Sequence, residues 1–394
     1  MNDHGGTFIL GGDHLSFQQA VRRMARAEFA DGYLERARST AFPRRELKKL
    51  GAAGLTGLSL PEALGGQGAD LIALGLACEE VAYADPNCGY LVFGANIAAG
   101  LLAAHGTPAA VRRWLPPLLA GESVCAIALT EPECGSDAAA LTTRARRVTG
   151  GWRLTGEKTS VTQAPHADLA IVLARAGARD QEGKASRARG ISAFILKAAD
   201  PSVSVQSFRD PGFIPLGRGS ITMDETFVPD EDVLGPAGAG FALIMAEFDL
   251  TRTLIAMLCV GAARRALDAA VAYSRQRRSF GKPLSAYQGV SFPIAEHHTY
   301  LTAVRTLALH TLGLRMAGQP HTAEAAMLKW WAPQACCDAI RDAIVLHGQV
   351  GWSDEMPLQA LLRDVSGYLI GDGTPQIQKL IIARELIGRE VLDR

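Results

Sequence analysis

The order of its hydrophobic patterns constrains the fold of this chain more than any other feature. Over residues 15–122, apolar side chains repeat at helical spacing. Over residues 123–233, turn residues separate short β-like runs at 169–174, 191–196, 203–205 and 221–223. Helical spacing returns after Gly240 and continues over about 241–275, 284–317, 322–348 and 374–392. This order predicts a fold that is mainly α with a middle β domain.

Domain boundaries are placed where the pattern changes. The predicted domains are an N-terminal helical domain over 1–122, a middle β domain over 123–233 and a C-terminal helical bundle over 234–394. In the last predicted helix, Thr374 occupies the N-cap and Pro375 the first helical position, where its missing N–H costs nothing. The buried face of that helix is expected to comprise Ile377, Leu380 and Ile381.

The charge balance of the chain is even, with 40 Lys and Arg against 40 Asp and Glu among 394 residues. Because proteins bind phosphate backbones through a surplus of basic residues, nucleic acid is not expected as a partner. Seven cysteines without C-x-x-C spacing indicate a reduced, cytoplasmic protein rather than a disulfide framework. The weakly polar stretch 90–104 is broken by Asn96 and falls short of the ~20 apolar residues of a membrane span, so no span is predicted.

Several common catalytic motifs are missing from the sequence. It contains no Rossmann glycine fingerprint, no P-loop, no H-E-x-x-H and no G-x-S-x-G. His297 and His298 are adjacent, so on a helix their side chains point about 100° apart and make a poor metal pair. No metal site is predicted.

Three polar segments remain as candidates for chemistry. The segment 128–137, ALTEPECGSD, can present N–H and hydroxyl groups to a ligand, or it can be a capped turn. The arginines that open 277–284, RRSFGKPL, suit a diphosphate, although a solvated basic loop has the same composition. In 371–376, GDGTPQ, a carboxylate between two glycines precedes a helix, where it can serve a ligand or only the helix dipole.

Taken together and in this order, the three segments resemble the acyl-CoA dehydrogenase family of flavoenzymes, and the resemblance runs from about residue 15 to residue 392. It implies an N-terminal helical domain, a β-barrel-like middle domain and a C-terminal four-helix bundle. It also implies an oxidoreductase that uses FAD to desaturate an acyl thioester and passes electrons to an electron-transfer flavoprotein.

The resemblance assigns flavin contacts in the first half of the chain. Leu129 and Thr130 are expected at the pyrimidine edge of the flavin, and Ser136 near the FAD phosphates or the acyl-CoA. In the motif GEKTSVT, Thr162 matches a threonine close to flavin N5. Many members have Trp where this chain has Ser160, which removes an aromatic wall beside the flavin.

Further FAD contacts are implied in the second half of the chain. The matching residues are Arg277, Phe280, Gln288, His347, Gly348, Thr374 and Gln376. The first three match residues that bind the diphosphate and adenosine of a neighbouring subunit, so a homodimer or homotetramer is implied. In the adenosine loop, Val345 replaces the usual glutamine.

The resemblance also places the substrate and the base. Phe248, Asp249 and Arg252 match the helix that holds pantetheine and CoA, although Asp249 and Arg252 can instead form a helix ion pair. Asp372 stands where most members have the catalytic glutamate, and Gly371 where an aromatic residue often precedes it. Asp372 is expected to take the α-proton of the thioester, while its backbone N–H and a flavin hydroxyl stabilise the enolate oxygen.

The shorter carboxylate and Gly371 imply a wider cavity around the α-carbon of the substrate. Further motifs resemble the cyclohexanecarboxyl-CoA dehydrogenase branch, at 156–162, 279–296, 321–326, 330–333 and 371–374. That branch implies an alicyclic or α-branched acyl-CoA as substrate. The alternatives are a carrier-protein-linked, branched or unsaturated acyl thioester, a flavin monooxygenase or oxidase, and a flavin-free binding protein.

Overall fold

The computed structural model describes residues 10–177 and 188–388. Its helices, in chain order, are α1 (Gly12–Phe29), α2 (Tyr33–Arg36), α3 (Arg44–Ala52), α4 (Leu71–Ala84), α5 (Pro86–His105), α6 (Pro108–Leu119), α7 (Gly240–Gln276), α8 (Gln288–Met316), α9 (Thr322–His347), α10 (Gln349–Trp352), α11 (Leu358–Ser366) and α12 (Pro375–Ile387). The predicted helical regions therefore hold helices on both sides of a β region.

The chain divides into two compact units. The first comprises the residues up to Leu34, Asp70–Tyr90 and the residues from Asp249 onward, and the second comprises Glu35–Ala69 and Leu91–Phe248. The domain boundaries at 122 and 233 rest on changes in the hydrophobic pattern of the sequence, and they stay a prediction.

The second unit contains one eight-stranded mixed sheet. Its strands are β1 (Cys125–Ala128), β2 (Arg144–Val148), β3 (Gly151–Thr162), β4 (Leu169–Arg175), β5 (Ile191–Lys197), β6 (Val203–Ser207), β7 (Arg218–Pro229) and β8 (Val233–Leu234). The order across the sheet is β6-β7-β3-β2-β4-β5-β8, and β1 pairs in parallel with β4. The four predicted β runs lie within β4, β5, β6 and β7. Residues 178–187, between β4 and β5, lie outside the described residues.

Apolar side chains from these strands form the core of the second unit. Leu154, Val172 and Phe194 are fully buried, and Trp152 contacts the ring of Phe194 edge to face. Because β4 is buried along its whole length, it reads as a continuous apolar run rather than an alternating one. The core thereby fixes β3, which carries the motif GEKTSVT.

The first unit is a set of packed helices with buried charges. Helix α4 is apolar on almost every side, and Asp70 caps it by accepting a hydrogen bond from the Ala73 N–H at 2.8 Å. Glu79 and Glu80 of this helix are at most 1% exposed. Three arginines from other helices neutralise them, which is the arrangement that buried carboxylates require. They are Arg22, Arg264 and Arg305.

Helix α5 is longer than the sequence suggested. It begins at Pro86 and reaches 20 residues, so by length and composition alone it is long and apolar enough to cross a membrane. The expectation that this stretch falls short was wrong, because Asn96 does not end the helix: its amide group bonds the carbonyls of Leu55 and Val92. The most apolar window of α5 is 61% buried, as in core helices of soluble proteins, so the evidence for a span is weak.

Candidate active site

Asp372 lies in the short segment between a 3-10 turn, Gly367–Leu369, and the start of α12. Its φ is 55° and that of Gly373 is 92°, so two successive residues adopt left-handed backbone conformations. A non-glycine residue held in this region costs about 1–3 kcal/mol and persists only where the surroundings enforce it. The half-buried Asp372 is therefore presented on a turn that the neighbouring structure must hold in place.

Gly371 leaves open space beside Asp372. Among the described residues, a β-carbon added to Gly371 approaches only the Gly367 carbonyl oxygen, at 3.8 Å. Packing of the backbone therefore does not require glycine at this position. Its effect is to leave room next to the carboxylate that an aromatic side chain would fill.

Helix α12 begins where the sequence predicted, with Thr374 at the N-cap and Pro375 in the first turn. Thr374 makes no side-chain capping bond within the described helix. The predicted buried face was wrong, since Ile377, Leu380 and Ile381 are all partly exposed. The buried residue of this helix is Gln378, whose amide nitrogen donates to the carbonyls of the preceding turn.

Asp249 and Arg252 lie one turn apart on α7. Arg252 is 7% exposed, and its guanidinium donates to the Asp249 carboxylate at 2.9 Å. The other oxygen of Asp249 accepts a hydrogen bond from the Thr322 hydroxyl at 2.6 Å. The helix ion pair, which was the alternative to CoA binding, is thus present. Contact of Asp249, Arg252 and half-buried Phe248 with CoA stays a prediction.

The residues matched to the diphosphate and adenosine of a neighbouring subunit lie around a hairpin. Strands β9 (Arg278–Ser279) and β10 (Lys282–Pro283) flank Phe280, which is 95% exposed, and Gly281. Arg277 and Gln288, at either end of this region, are also exposed.

His347 is buried at the end of α9. Its Nδ1 lies 2.7 Å from the Ala343 carbonyl oxygen, which fixes the donor role of that nitrogen, and its ring stacks on Tyr273 at 4.4 Å. Gly348 follows with φ of 62° and ends the helix. These two contacts fix the orientation of the His347 ring, and exposed Gly348 lies beside it in the predicted adenosine loop.

In the second unit, the segment at 129–131 is bound to β3. Leu129 is buried, and its carbonyl accepts a hydrogen bond from the Lys158 ammonium at 3.0 Å. The Thr130 carbonyl accepts one from the Thr159 N–H at 2.9 Å. The structure therefore brings Leu129 and Thr130 to the strand that ends at Thr162, whereas Ser136 is exposed in the loop beyond.

A buried ion pair under this segment was missed by sequence reasoning. Glu131 is 3% exposed and Lys158 is fully buried, and their charged atoms are 2.8 Å apart. Burial alone would raise the pKa of Glu131, but hydrogen bonding and charge from Lys158, with bonds from Thr142 and Thr143, hold it at about 2. Burial lowers the pKa of Lys158, and Glu131 opposes that shift. The sequence signal for this pair is that Glu131 and Lys158 carry opposite charges within motifs otherwise rich in apolar and hydroxyl side chains.

Ser160 occupies a bulge in β3, with φ of 56°. Its hydroxyl accepts a hydrogen bond from Arg218 at 3.0 Å, and Arg218 is itself paired with Asp210. Where many relatives of the resembled family carry an indole, this chain therefore presents a hydroxyl bonded to a guanidinium.

Sequence models of three domains match the chain. The N-terminal, middle and C-terminal domain models of the acyl-CoA dehydrogenases match residues 12–122, 126–225 and 238–387. An acyl-CoA dehydrogenase of Bacillus subtilis is 34% identical over 378 residues, covering 95% of this chain and 98% of that protein. The chain belongs to the acyl-CoA dehydrogenase family. The recognised family and fold class are thereby confirmed.

Other acyl-CoA dehydrogenase relatives are similar along nearly the whole chain. The CarC subunit of a caffeyl-CoA reductase-Etf complex from Acetobacterium woodii is 32% identical, over 93% of this chain and 97% of that protein. Butyryl-CoA dehydrogenase of Megasphaera elsdenii is 28% identical with a TM-score of 0.89, over 96% of this chain and 99% of that one. PigA, solved with FAD and proline, is 25% identical with a TM-score of 0.91, over 97% and 99%.

As an acyl-CoA dehydrogenase, the chain is an oxidoreductase that acts on the CH–CH bond of an acyl-CoA, with FAD as its cofactor. The donors in the first unit fit that cofactor. The exposed Arg277 guanidinium and the first N–H groups of α12, which the Thr374 side chain does not cap, suit a diphosphate. In the second unit, the buried ion pair fixes an apolar and hydroxyl-bearing edge at 129–130, as a flavin ring requires.

The part of the chain that the structure describes also bears on metal binding. Among residues 10–177 and 188–388, no group of three or more His, Cys, Asp or Glu is arranged to hold a metal ion. His297 instead bonds the Asp342 carboxylate at 2.8 Å.

Proposed function

We propose that the chain desaturates cyclohexanecarboxyl-CoA, or a related alicyclic or α-branched acyl-CoA, with Asp372 as the base that removes the α-proton. The observation that supports this substrate class is the open space at Gly371 beside a carboxylate one methylene shorter than glutamate. A substrate branched at its α-carbon needs room there, and a straight chain does not.

The chemistry assigned to Asp372 is general-base catalysis. Its carboxylate accepts the α-proton, and its backbone N–H donates to the thioester oxygen, where negative charge develops. Bound FAD supplies the acceptor for the hydride that leaves the β-carbon. The product is an acyl-CoA with a double bond between the α- and β-carbons.

The remaining matched residues are proposed as ligand contacts. FAD is proposed to contact Leu129, Thr130, Ser136, Thr162, Arg277, Phe280, Gln288, His347, Gly348, Thr374 and Gln376. The acyl-CoA is proposed to contact Ser136, Phe248, Asp249, Arg252 and Gly371. Replacing Arg252 would also remove the ion-pair partner of Asp249. The loss of CoA affinity in an Arg252 variant is therefore best compared with the loss in Asp249→Asn.

Anaerobic bleaching of the flavin tests the base and the substrate together. We expect cyclohexanecarboxyl-CoA to bleach the wild-type holoenzyme faster than isobutyryl-CoA or butyryl-CoA. Asp372→Asn should slow bleaching by roughly 10²–10⁴-fold while keeping FAD, because a neutral amide cannot accept the α-proton.

Asp354→Asn serves as the matched control, since Asp354 is 67% exposed and lies outside the proposed site. Bleaching of Asp372→Asn at the wild-type rate would reject Asp372 as the base. Faster bleaching by butyryl-CoA would reject the branched substrate class while leaving the base intact.

A thioester linked to a carrier protein is the second candidate substrate. The open space at Gly371 bears on the acyl group and not on the thiol that carries it, so it admits a carrier-linked thioester equally. The same acyl group presented on CoA and on a carrier protein, in the bleaching assay above, separates the two. A flavin monooxygenase or oxidase is disfavoured by the carboxylate at the position of the family base, and rapid aerobic reoxidation would support it.

An electron-transfer flavoprotein is the proposed electron acceptor. A relative that is a subunit of an enzyme–Etf complex supports this partner. We expect the flavin of an added electron-transfer flavoprotein to be reduced only when both the dehydrogenase and its acyl-CoA are present. Reduction at the same rate without the dehydrogenase would contradict the proposal. A cytoplasmic location stays a prediction.

A further inference from the structure

The backbone around Asp372 is bound to a buried lysine of a different helix. Lys329, in the first half of α9, is 1% exposed. Its ammonium donates to the Tyr368 carbonyl oxygen at 2.6 Å and to the Gly373 carbonyl oxygen at 3.3 Å. These two carbonyls precede and follow Asp372 in the chain, so one side chain ties both sides of the turn to α9.

Gln378 binds the same turn from α12. It is fully buried, and its amide nitrogen donates to the carbonyl of Asp372 at 3.1 Å and of Gly373 at 3.3 Å. A β-carbon on Gly373 would lie 2.5 Å from that nitrogen, so the amide packs directly against the glycine. We call Lys329 and Gln378 together the carbonyl clamp.

The backbone alone holds this turn weakly. The N–H groups of Ile370 and Gly371 bond the Gly367 carbonyl, and the regular bonds of α12 begin at the Thr374 carbonyl. Between these points, the described bonds to the carbonyls of Asp372 and Gly373 come from the carbonyl clamp. The left-handed conformation of Asp372 therefore depends on two side chains outside the turn, one from α9 and one from α12.

Burying an ammonium group is costly, and its surroundings offset that cost here. Burial lowers the pKa of Lys329, and the charge of Asp372 opposes that shift. Arg252 and Cys259 are the other titratable groups that act on Lys329. Hydrogen bonds to two neutral carbonyls offset only part of the free energy that burying an ammonium group costs. The bonds are therefore better explained by a need to hold this turn accurately.

Resting on the proposed role of Asp372, we propose that Lys329 and Gln378 are positioning residues that hold its carboxylate and backbone N–H in the orientation that α-proton removal requires. Neither side chain needs to touch the substrate. A displacement of about 1 Å at a reacting group costs roughly 100-fold in rate. Loss of either member should therefore slow the proton-removal step without weakening substrate binding.

The test is single-turnover bleaching of the flavin in the holoenzyme. The substrate is the one of the three acyl-CoAs named above that bleaches wild type fastest, prepared with hydrogen or with deuterium at its α-carbon. Lys329→Met and Gln378→Met keep an unbranched side chain of similar length and remove the donors. We expect bleaching to slow by roughly 100-fold, the α-deuterium isotope effect to increase, and the substrate concentration for half-maximal rate and the FAD content to stay at wild-type values. A loss of general stability would not raise the isotope effect.

Lys379→Met is the control, because Lys379 is an exposed lysine next to Gln378 whose ammonium lies over Trp330. Wild-type bleaching by Lys329→Met or Gln378→Met with full FAD content would overturn the positioning role. If Lys329→Met does not fold, Gln378→Met decides by the same criterion, because it removes one neutral amide. Wild-type bleaching by Asp372→Asn would instead overturn the proposed base, so the two failures are distinguishable.

Discussion

Glu131 carries a full negative charge in a buried position because five hydrogen bonds converge on its carboxylate. The donors are the N–H and hydroxyl groups of Thr142 and Thr143 and the ammonium of Lys158. The same ammonium donates to the Leu129 carbonyl, so the charge of Glu131 is coupled to the position of the segment proposed to contact the flavin.

We expect Glu131→Gln to lower the free energy of unfolding by about 3–5 kcal/mol, because it leaves Lys158 buried without its counter-charge. Urea unfolding at pH 7 measures this loss, and titration with FAD measures whether affinity falls with it. Glu133→Gln, an exposed neighbour in the same loop, provides the control. Equal stability of the two variants would show that the buried pair contributes nothing.

The same residue gives a pH dependence of stability. Because the pKa of Glu131 is about 2 in the folded protein and 4.5 ordinarily, its contribution is complete above about pH 4.5. The contribution is lost as the pH falls from 4.5 towards 2. Over that range, wild-type stability should fall more steeply than that of Glu131→Gln, and parallel curves would contradict the assignment.

At the level of elements, burial decides which strands the sequence revealed. Strands β4 and β5 are buried on both faces, so their apolar runs are continuous and were predicted. Strand β3 contains two bulges, and its buried positions, 151, 154, 158 and 161, recur every third or fourth residue rather than every second. Its Glu157 and Lys158 also interrupt the apolar pattern. The sequence therefore indicates a motif here rather than a strand, because it does not show that Lys158 is buried and Glu157 exposed.

Helix α12 shows the same limit for a helix. Its start was predictable, since Thr374 and Pro375 act locally. Its buried face was not predictable from apolar spacing, because the buried residue is the polar Gln378. Hydrogen bonds to the carbonyls of Asp372 and Gly373 hold that side chain inside. Lys329 lies 44 residues from Gly373, so only the folded chain shows that the two are bonded.

For the whole molecule, we predict assembly of two or four copies. Several large apolar side chains of the first unit are strongly exposed, namely Phe280 at 95%, Trp352 at 77%, Ile370 at 74%, and Val345 and Leu386 at 73%. Covering such side chains on association is favourable. Light scattering should give the mass of a dimer or tetramer at micromolar concentration, whereas the mass of one chain would contradict the prediction.

The discontinuity of the first unit affects how the protein is made. Glu79 on α4 pairs with Arg264, 185 residues later in the chain, and with Arg305, 226 residues later. At about 5–20 residues per second, the ribosome needs roughly 10–40 s to reach Arg264 after α4 has been made. During that interval the apolar sides of α4 have no partner from the third segment of the unit. We therefore expect apolar surface of the early helices to stay exposed on the nascent chain, and open to chaperone binding, until the C-terminal helices emerge.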